Sequence, residues 1–496
     1  MFSIKKVSGD KELSSDSSSG TVVSLTNKYK NFSEWYDYVI EAADIIDKRY
    51  PVKGMLVWKP YGYKALKLTM AILENLLEEY DHYEAYFPML VPEDIFAKEK
   101  DFLEGFSGET FVVERTIRKR LVKKFLLRPT SETVMYYMFN LWIQSYKDLP
   151  LKIYQTVNVF RYETEHTRPI LRVREIIRFN ESHTVHATPE DTERQIFEAI
   201  EIYSKFFDSL CLSYIILRTP KWDTFAGAEY NYDFYEIMPD RKAIELGSVI
   251  NLGQKFAKAF DIKYQKPDGS FEYVYQTCYG VSERVVGVLI SVHGDDRGII
   301  FPTHIAPIQI VIIPIPYKEF EEPVFEKCRS MFKFLKENKF RVYLDETEKT
   351  PGEKFYYWEL RGVPIRIEIG PKDVENGTVT ISRRDTLERY VVKDEEVINK
   401  INELMTEINE NLRKRAWDWL KQNIHEASTA EEAGMIYKEK GGMIKLPWCG
   451  EDKCGLKIEE LSGLEGLGYD PEEKADGSCV ICGKAAKWYL YVGKKY

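Results

Sequence analysis

The chain of 496 residues has few His (7) and only seven Cys. It has no long apolar run: the longest stretch, around Ile305–Pro316, is broken by Pro307 and Gln309. A membrane-spanning helix needs about 20 consecutive apolar residues, so that stretch is too short. The first twenty residues carry seven Ser and no apolar core, which argues against a secretory signal. The chain also lacks positive charge. Lys+Arg is 70 against 79 Asp+Glu, a net charge of −9. Proteins that coat nucleic acid by bulk charge are basic, which excludes a DNA-coating role and leaves nucleic acid to local patches. These readings place the chain in the cytoplasm, with no membrane and no DNA as partner. Disorder in bulk is excluded by what is present: 44% hydrophobic and 14% aromatic residues, including 33 Tyr and 26 Phe. The length allows roughly three or four domains of about 100–200 residues.

Residues 1–30, rich in Ser and Lys, read as a disordered tail. Trp35, Val39, Ala42 and Ile46 then repeat at helical spacing, followed by Ala65, Leu68, Ile72, Leu76 and Tyr80 on a second helix. Tyr86–Leu90 reads as a short strand. Leu151–Arg161 and Glu175–His186 read as two strands joined by a charged loop. Thr188-Pro189-Glu190-Asp191 is a helix start with its N-cap, Pro and acids in order. Further antiparallel strands are expected between 214 and 278, and a helix over Gly280–His293. After a boundary near Pro302–Pro307 the pattern changes to strands over Gln309–Pro314, Arg341–Asp345 and Ile365–Ile369. Helices over Val324–Asn338 and Lys354–Leu360 alternate with them, as in a βαβ series. A charged helix over roughly Glu395–Gln422 leads to the last segment.

Two clusters carry chemistry. Arg161, Arg168, Arg172, Arg174 and Arg178 put five Arg and no Lys into eighteen residues of the charged loop. Guanidinium forks grip phosphates and carboxylates in two-pronged fashion, although Glu163, Glu165 and Glu175 nearby equally allow a solvated hairpin of ion pairs. Cys449-x4-Cys454 and Cys479-x2-Cys482 form a four-thiol set whose spacing suits a closed tetrahedral structural zinc site. Cys211, Cys278 and Cys328 are scattered. His183 and His186 read as structural. The basic run Arg115–Lys124 reads either as a contact to nucleic-acid backbone phosphate or as an ordinary solvated hairpin.

Phe160-Arg161-Tyr162-Glu163 resembles motif 2 of the class II aminoacyl-tRNA synthetases. Arg128-Pro129-Thr130-Ser131-Glu132 resembles the proline-binding loop of prolyl-tRNA synthetases, and Tyr279-Gly280-Val281-Ser282-Glu283-Arg284 their motif 3. The helix ending in Phe87-Pro88 resembles motif 1. The resemblance is to the archaeal/eukaryotic type and covers about residues 30–496. It implies an α/β (α+β) multidomain fold: a class II antiparallel-sheet catalytic core over 31–303, an α/β anticodon-binding domain over 304–405 and a small α+β zinc-binding domain over 406–496. It also implies a homodimer with motif 1 at the interface.

The implied activity is proline–tRNA ligation: proline's carboxylate attacks the α-phosphate of ATP, and the adenylate then acylates the 3′ end of tRNA(Pro). Substrates and partners are thus L-proline, ATP and tRNA(Pro). By this resemblance Arg161 bridges α-phosphate and proline carboxylate, Glu163 faces adenine, Arg172 holds the γ-phosphate, and Arg284 holds the γ-phosphate or stacks near adenine. Thr130 and Glu132 take the proline amine, and Phe179, Phe225, Ile250, Cys278 and Gly280 wall the ring. Where the family typically has Gln, Thr and His, this chain has Glu245, Ser248 and Ile250. An ionised Glu beside phosphate calls for a cation, so Glu245 and Ser248 are read as Mg²⁺ ligands. Ile250 makes the pocket more apolar. Lys354, Phe355, Glu359, Arg361, Arg383 and Arg384 are the anticodon candidates. Tyr496 is expected to direct its carboxylate to the active site. Arg161 and Arg284 lie 123 residues apart, which leaves no room for a large editing insertion. Two other readings stay open: a paralogue of altered amino-acid specificity, and a non-catalytic RNA-binding zinc protein.

Overall fold

The computed structural model describes residues 27–98, 108–162, 167–317 and 321–496. Its largest sheet has seven strands: β1 (Tyr83–Glu84), β2 (Leu151–Phe160), β3 (Glu175–His186), β4 (Ile215–Arg218), β5 (Tyr230–Ile237), β6 (Ala243–Gly253) and β7 (Tyr275–Val281). Their order is β1-β2-β3-β7-β6-β5-β4, antiparallel throughout except for the β1–β2 edge pair. One face is covered by α1 (Phe32–Ala42), α2 (Pro60–Glu79), α4 (Pro189–Ser209) and α5 (Arg284–His293), while α3 (Glu132–Trp142) belongs to a second cluster at the sheet's other side. The covered face is apolar and continuous, running from Trp35 and Leu66 through Phe206 and Phe234 to Val288. The other face is left partly open, and that is where the polar residues of the sheet collect.

The middle domain is a five-stranded sheet whose first three strands, Val342–Leu344, Ile310–Pro314 and Ile365–Ile369, are parallel, as the βαβ pattern requires. An antiparallel hairpin, Thr378–Arg383 with Arg389–Lys393, completes its edge. The last domain is a four-stranded sheet in the order Ile424–Glu426, Met443–Trp448, Trp488–Gly493, Glu465–Gly468.

Several expectations need correction. The tail reading over 1–30 fails at its end. Lys28 is buried and its Nζ donates to Val292 O and Gly294 O, capping the C-terminus of α5, while residues 1–26 lie outside the described residues. Ile46 is not on the first helix: Asp44 takes φ of +59°, which ends the helical path, and Ile46 joins a two-residue strand. The strand expected over Tyr86–Leu90 lies instead at Leu90–Pro92, because the Phe87 N–H goes to the Gln155 side chain and Pro88 has no donor. Gly280 and Val281 pair with Glu181 and Asn180 in the sheet, so the helix expected from Gly280 begins at Arg284. The boundary expected at 405 falls inside one unbroken helix, α6 (Val397–Gln422). Its first half packs Ile401, Leu404, Ile408 and Leu412 on the middle sheet, and Leu420 and Trp417 pack with Leu217 and Tyr235 of the large one.

Gly62 in α2 sets two effects against each other. Helix propensity favours Ala there by about 1 kcal/mol. A Cβ, however, would lie 2.2 Å from the carbonyl oxygen of Ile45. Overlap with fixed backbone outweighs propensity, so Gly62→Ala is expected to lower the thermal midpoint. A raised midpoint in a calorimetric scan would refute this account of the packing.

Candidate active site

The register of the large sheet builds the site. Asp233 lies opposite Ser248, Ser248 opposite Gly280, Gly280 opposite Glu181 and Glu181 opposite Gln155. Two residues along, Asn231, Ile250, Cys278, His183 and Ile153 form a second row. With a side-chain period of two, both rows face the same side. A β-bulge in β3 supplies the next position: Val157 pairs with Phe179 but Val159 with Ile176, and Arg178 sits at φ of +50°. The extra residue turns Arg178 outward to Glu74 (2.7 Å) and Phe179 inward. Gly280 leaves room for that ring, since a Cβ there would lie 3.0 Å from Phe179 Cζ.

These rows floor a cavity of about 480 Å³, within the range of small-molecule sites. It brings together Thr130, Glu132, Arg161, Arg172, Phe179, Phe225, Glu245, Ser248, Ile250, Cys278, Gly280 and Arg284, that is, each described residue expected to meet ATP or proline. Glu163 lies outside the described residues. The Arg cluster divides its labour. Arg161 and Arg172 line the cavity. Arg178 pairs with Glu74, Arg174 covers the Tyr162 ring at 3.9 Å, and Arg168 packs among Phe32, Tyr36 and Tyr496. Tyr496 lines the cavity as well.

At one end the Thr130 hydroxyl donates towards Glu132 (2.5 Å) and Glu181 (2.7 Å), and Ser131 donates to Glu181 through both N–H (3.1 Å) and hydroxyl. Burial, then the charge of Glu181, pushes the Glu132 carboxyl up to about 7. Burial holds His183 neutral, down to about 3, with Nδ1 at 2.9 Å from the Tyr136 hydroxyl. Burial followed by the two Glu charges raises the Cys278 thiol well above its ordinary range, so it is a wall and not a nucleophile. Arg161, with Nε on Pro129 O at 3.0 Å, lies over Phe179 at 5.8 Å.

At the other end the Ser248 hydroxyl donates to Asp233 (2.6 Å) and Glu245 (3.1 Å). Burial, then Glu245, pushes Asp233 up to about 6. Arg284 is fixed at the N-terminus of α5 by Nε to Leu171 O (3.0 Å) and Nη1 to Glu245 O (3.2 Å). Asp233 and Glu181 are the residues that sequence reasoning missed as donors. The signal was present: Tyr230-Asn231-Tyr232-Asp233 alternates, and a polar residue at every second place on an aromatic strand marks a polar sheet face.

In the last domain the four ligand sulfurs of Cys449, Cys454, Cys479 and Cys482 lie within 4.8 Å of one another. Cys482 Sγ is 3.7 Å from Cys449 Sγ. A tetrahedron with metal–sulfur bonds of about 2.3 Å has an edge of about 3.8 Å, so the cluster has the dimensions of a four-thiolate metal site.

The anticodon candidates are arranged differently from the expectation. Lys354 is buried with Nζ on Asp345 O (2.9 Å), and Arg384 is buried with two prongs on Asp295 (2.6 and 2.8 Å). Arg361 pairs with Asp44, Arg383 with Asp385, and Glu359 with Arg297 and Arg366. These five are internal ties between and within domains, because long charged side chains in a packed interface find local partners. Phe355 alone stays half-buried, under the Arg366 guanidinium at 4.0 Å.

Residues 111–293 match the family model of the class II tRNA synthetase core domain (G, H, P, S and T), 309–404 the anticodon binding domain and 430–496 the prolyl-tRNA synthetase C-terminal domain. A proline–tRNA ligase of Pyrococcus abyssi is 49% identical over 472 residues, covering 94% of this chain and 98% of that relative. One from Methanothermobacter thermautotrophicus is 49% identical over 459 residues, covering 92% and 95%. The solved structure of Giardia lamblia prolyl-tRNA synthetase in complex with prolyl-adenylate superposes with a TM-score of 0.91 at 34% identity, covering 95% of this chain and 100% of that one. With the cavity and its two polar ends, these likenesses establish that the chain belongs to the prolyl-tRNA synthetase family, of the archaeal/eukaryotic type within class II.

Proposed function

We propose that the chain activates L-proline with ATP and transfers the prolyl group to the 3′ end of tRNA(Pro). The observation that carries this reading is one cavity lined by a carboxylate pair at each end and by the guanidinium groups of Arg161, Arg172 and Arg284. Glu132 and Glu181, with Thr130, suit the secondary ammonium of proline, and Phe179, Phe225 and Ile250 suit its ring. Arg161, near that end, would hold the proline carboxylate against the α-phosphate. The carboxylate oxygen attacks phosphorus and pyrophosphate leaves. The terminal ribose hydroxyl of tRNA then attacks the prolyl carbonyl, and AMP leaves. No side-chain nucleophile is required, so catalysis is positioning and charge stabilisation. Arg172 and Arg284 would hold the γ-phosphate, and Glu163 would face adenine.

Asp233, Glu245 and Ser248 fit Mg²⁺: they are hard oxygen donors, and the charge of Glu245 beside the buried Asp233 carboxyl is relieved by a cation. When bound there, Mg²⁺ would neutralise phosphate charge. The four Cys would hold a structural zinc. A homodimer would cover Tyr83, Tyr86, Leu90, Leu141 and Trp142, which are 43–74% exposed around motif 1. The middle domain would meet the anticodon, with Phe355 as its stacking candidate, and the enzyme would work in the cytoplasm beside its tRNA.

Proline-dependent ATP–pyrophosphate exchange tests the reading directly. Exchange with proline is expected; exchange with another amino acid only would favour the paralogue, and none with any would sink the ligase. Arg161→Ala should lower exchange by about 10²-fold or more, the scale of a lost transition-state donor.

The pH dependence follows from Glu132. Its carboxyl is raised in the free enzyme, so it is neutral below about 7 and charged above. Only the charged form pairs with the ammonium. The kcat/KM for proline should therefore rise as pH increases through about 7, and Glu132→Gln should abolish that rise while lowering kcat/KM at least tenfold. A profile flat from pH 6 to 8 would count against this role.

Metal analysis of protein purified without chelator should give about one zinc per chain, falling below half in Cys482→Ser. A wild-type content well below one would rule out the zinc site.

A further inference from the structure

The strands Val112–Arg115 and Arg120–Leu127 form a hairpin whose turn is closed by Thr116 N–H to Lys119 O at 2.8 Å. Six cations, Arg115, Arg118, Lys119, Arg120, Lys123 and Lys124, stand there against one acid, Glu114, in a chain of net charge −9. Lys123 reaches Asp94 at 3.0 Å, in a pair too exposed to contribute much. Among the described residues, Arg118, Lys119, Arg120 and Lys124 make no ion pair. Arg115 lies directly opposite Arg120 across the ladder. Like charges in that position destabilise a hairpin unless an anion lies over them. Ile117 and Val122, 95% and 98% exposed, stand among the cations with nothing among the described residues to pack on.

The hairpin's root places it. Phe111 meets the Tyr162 ring edge-on at 5.3 Å, and Tyr162 N–H donates to Glu109 O at 2.6 Å, beside Arg161. The second strand runs without interruption into Arg128-Pro129-Thr130, whose Pro129 carbonyl holds Arg161. Eight residues at about 3.3 Å each put Arg120 and the turn up to about 26 Å along the strand from the cavity rim, with Lys124 about half as far. The 3′ ribose of tRNA must enter that cavity, so the backbone just upstream of it passes over the rim.

We propose that this hairpin is an arm that grips the sugar–phosphate backbone of the tRNA acceptor end, its cations on phosphates and its two apolar residues against ribose. The inference rests on the ligase reading, and two separate assays keep their failures apart. In the variant Arg118→Ala/Lys119→Ala/Arg120→Ala/Lys124→Ala, proline-dependent ATP–pyrophosphate exchange, which needs no tRNA, should stay within twofold of the parent. The KM for a tRNA(Pro) transcript should rise about tenfold or more. The slope of log affinity against log salt, by fluorescence anisotropy with the same transcript, should fall by about 3–3.5, four lost phosphate contacts at 0.7–0.9 each. Arg118→Lys/Arg120→Lys, which keeps the charge, should restore most of the affinity.

Unchanged tRNA KM and salt slope would overturn the proposal. So would a shift in oligomeric state on sizing, which would make the arm a protein interface. If the fourfold variant also loses exchange, the charge-keeping variant and single Ala variants decide by their salt slopes. If the parent shows no exchange with proline the ligase reading fails, whereas a slope that still depends on these four cations would leave the arm standing.

Discussion

Two carboxylate pairs lining one cavity over the sheet constrain everything around them. Glu132 lies beside Glu181, both buried, and the buried Asp233 lies beside the half-buried Glu245. Such pairs persist only where hydrogen bonds hold the oxygens and the opposite sheet face supplies enough apolar burial to offset the cost. Thr130, Ser131 and Ser248 provide the first. The helices α1, α2, α4 and α5, packed on the far face with Trp35, Phe206 and Val288, provide the second. The sheet is thus asymmetric: one side is a dry core, and the other is a polar floor with carboxylates at both ends.

The same asymmetry gives the guanidinium groups their places. Arg161 is fastened by Pro129 O and Arg284 by Leu171 O and Glu245 O, and both side chains line the cavity. Anchoring by carbonyls costs little charge neutralisation, whereas Arg178, paired with Glu74, has been spent on structure. Chain ends far from the floor stabilise it from behind. Lys28 caps the helix that begins with Arg284, and α6 ties the middle and last domains to the strand edge that carries Asp233.

Much of this was legible in the sequence, and the misses have physical causes. Helical and strand periods located most elements of the core because one face of each is uniformly apolar. The element limits slipped where a single backbone feature decided them, as at Asp44 and Pro88. The motifs brought twelve candidate residues to one cavity because fixed spacing on paired strands fixes which side chains share a face. Glu181 and Asp233 were missed as donors because their meaning comes from the strand beside them. The anticodon candidates Lys354, Glu359, Arg361, Arg383 and Arg384 came from the resemblance to an anticodon-binding domain, and each has a partner inside the protein that no spacing rule would reveal.

The sequence by itself determined the periodicities, the four-thiol set and the motif residues, since these depend on residue type and near spacing. Tertiary structure alone decided which charges meet: that Glu132 faces Glu181 across 49 positions, that Asp233 stands beside Ser248, and that Arg384 turns inward to Asp295. Electrostatic roles depend on distance and burial, and for residues far apart in the chain those quantities do not exist until the sheet has closed its register.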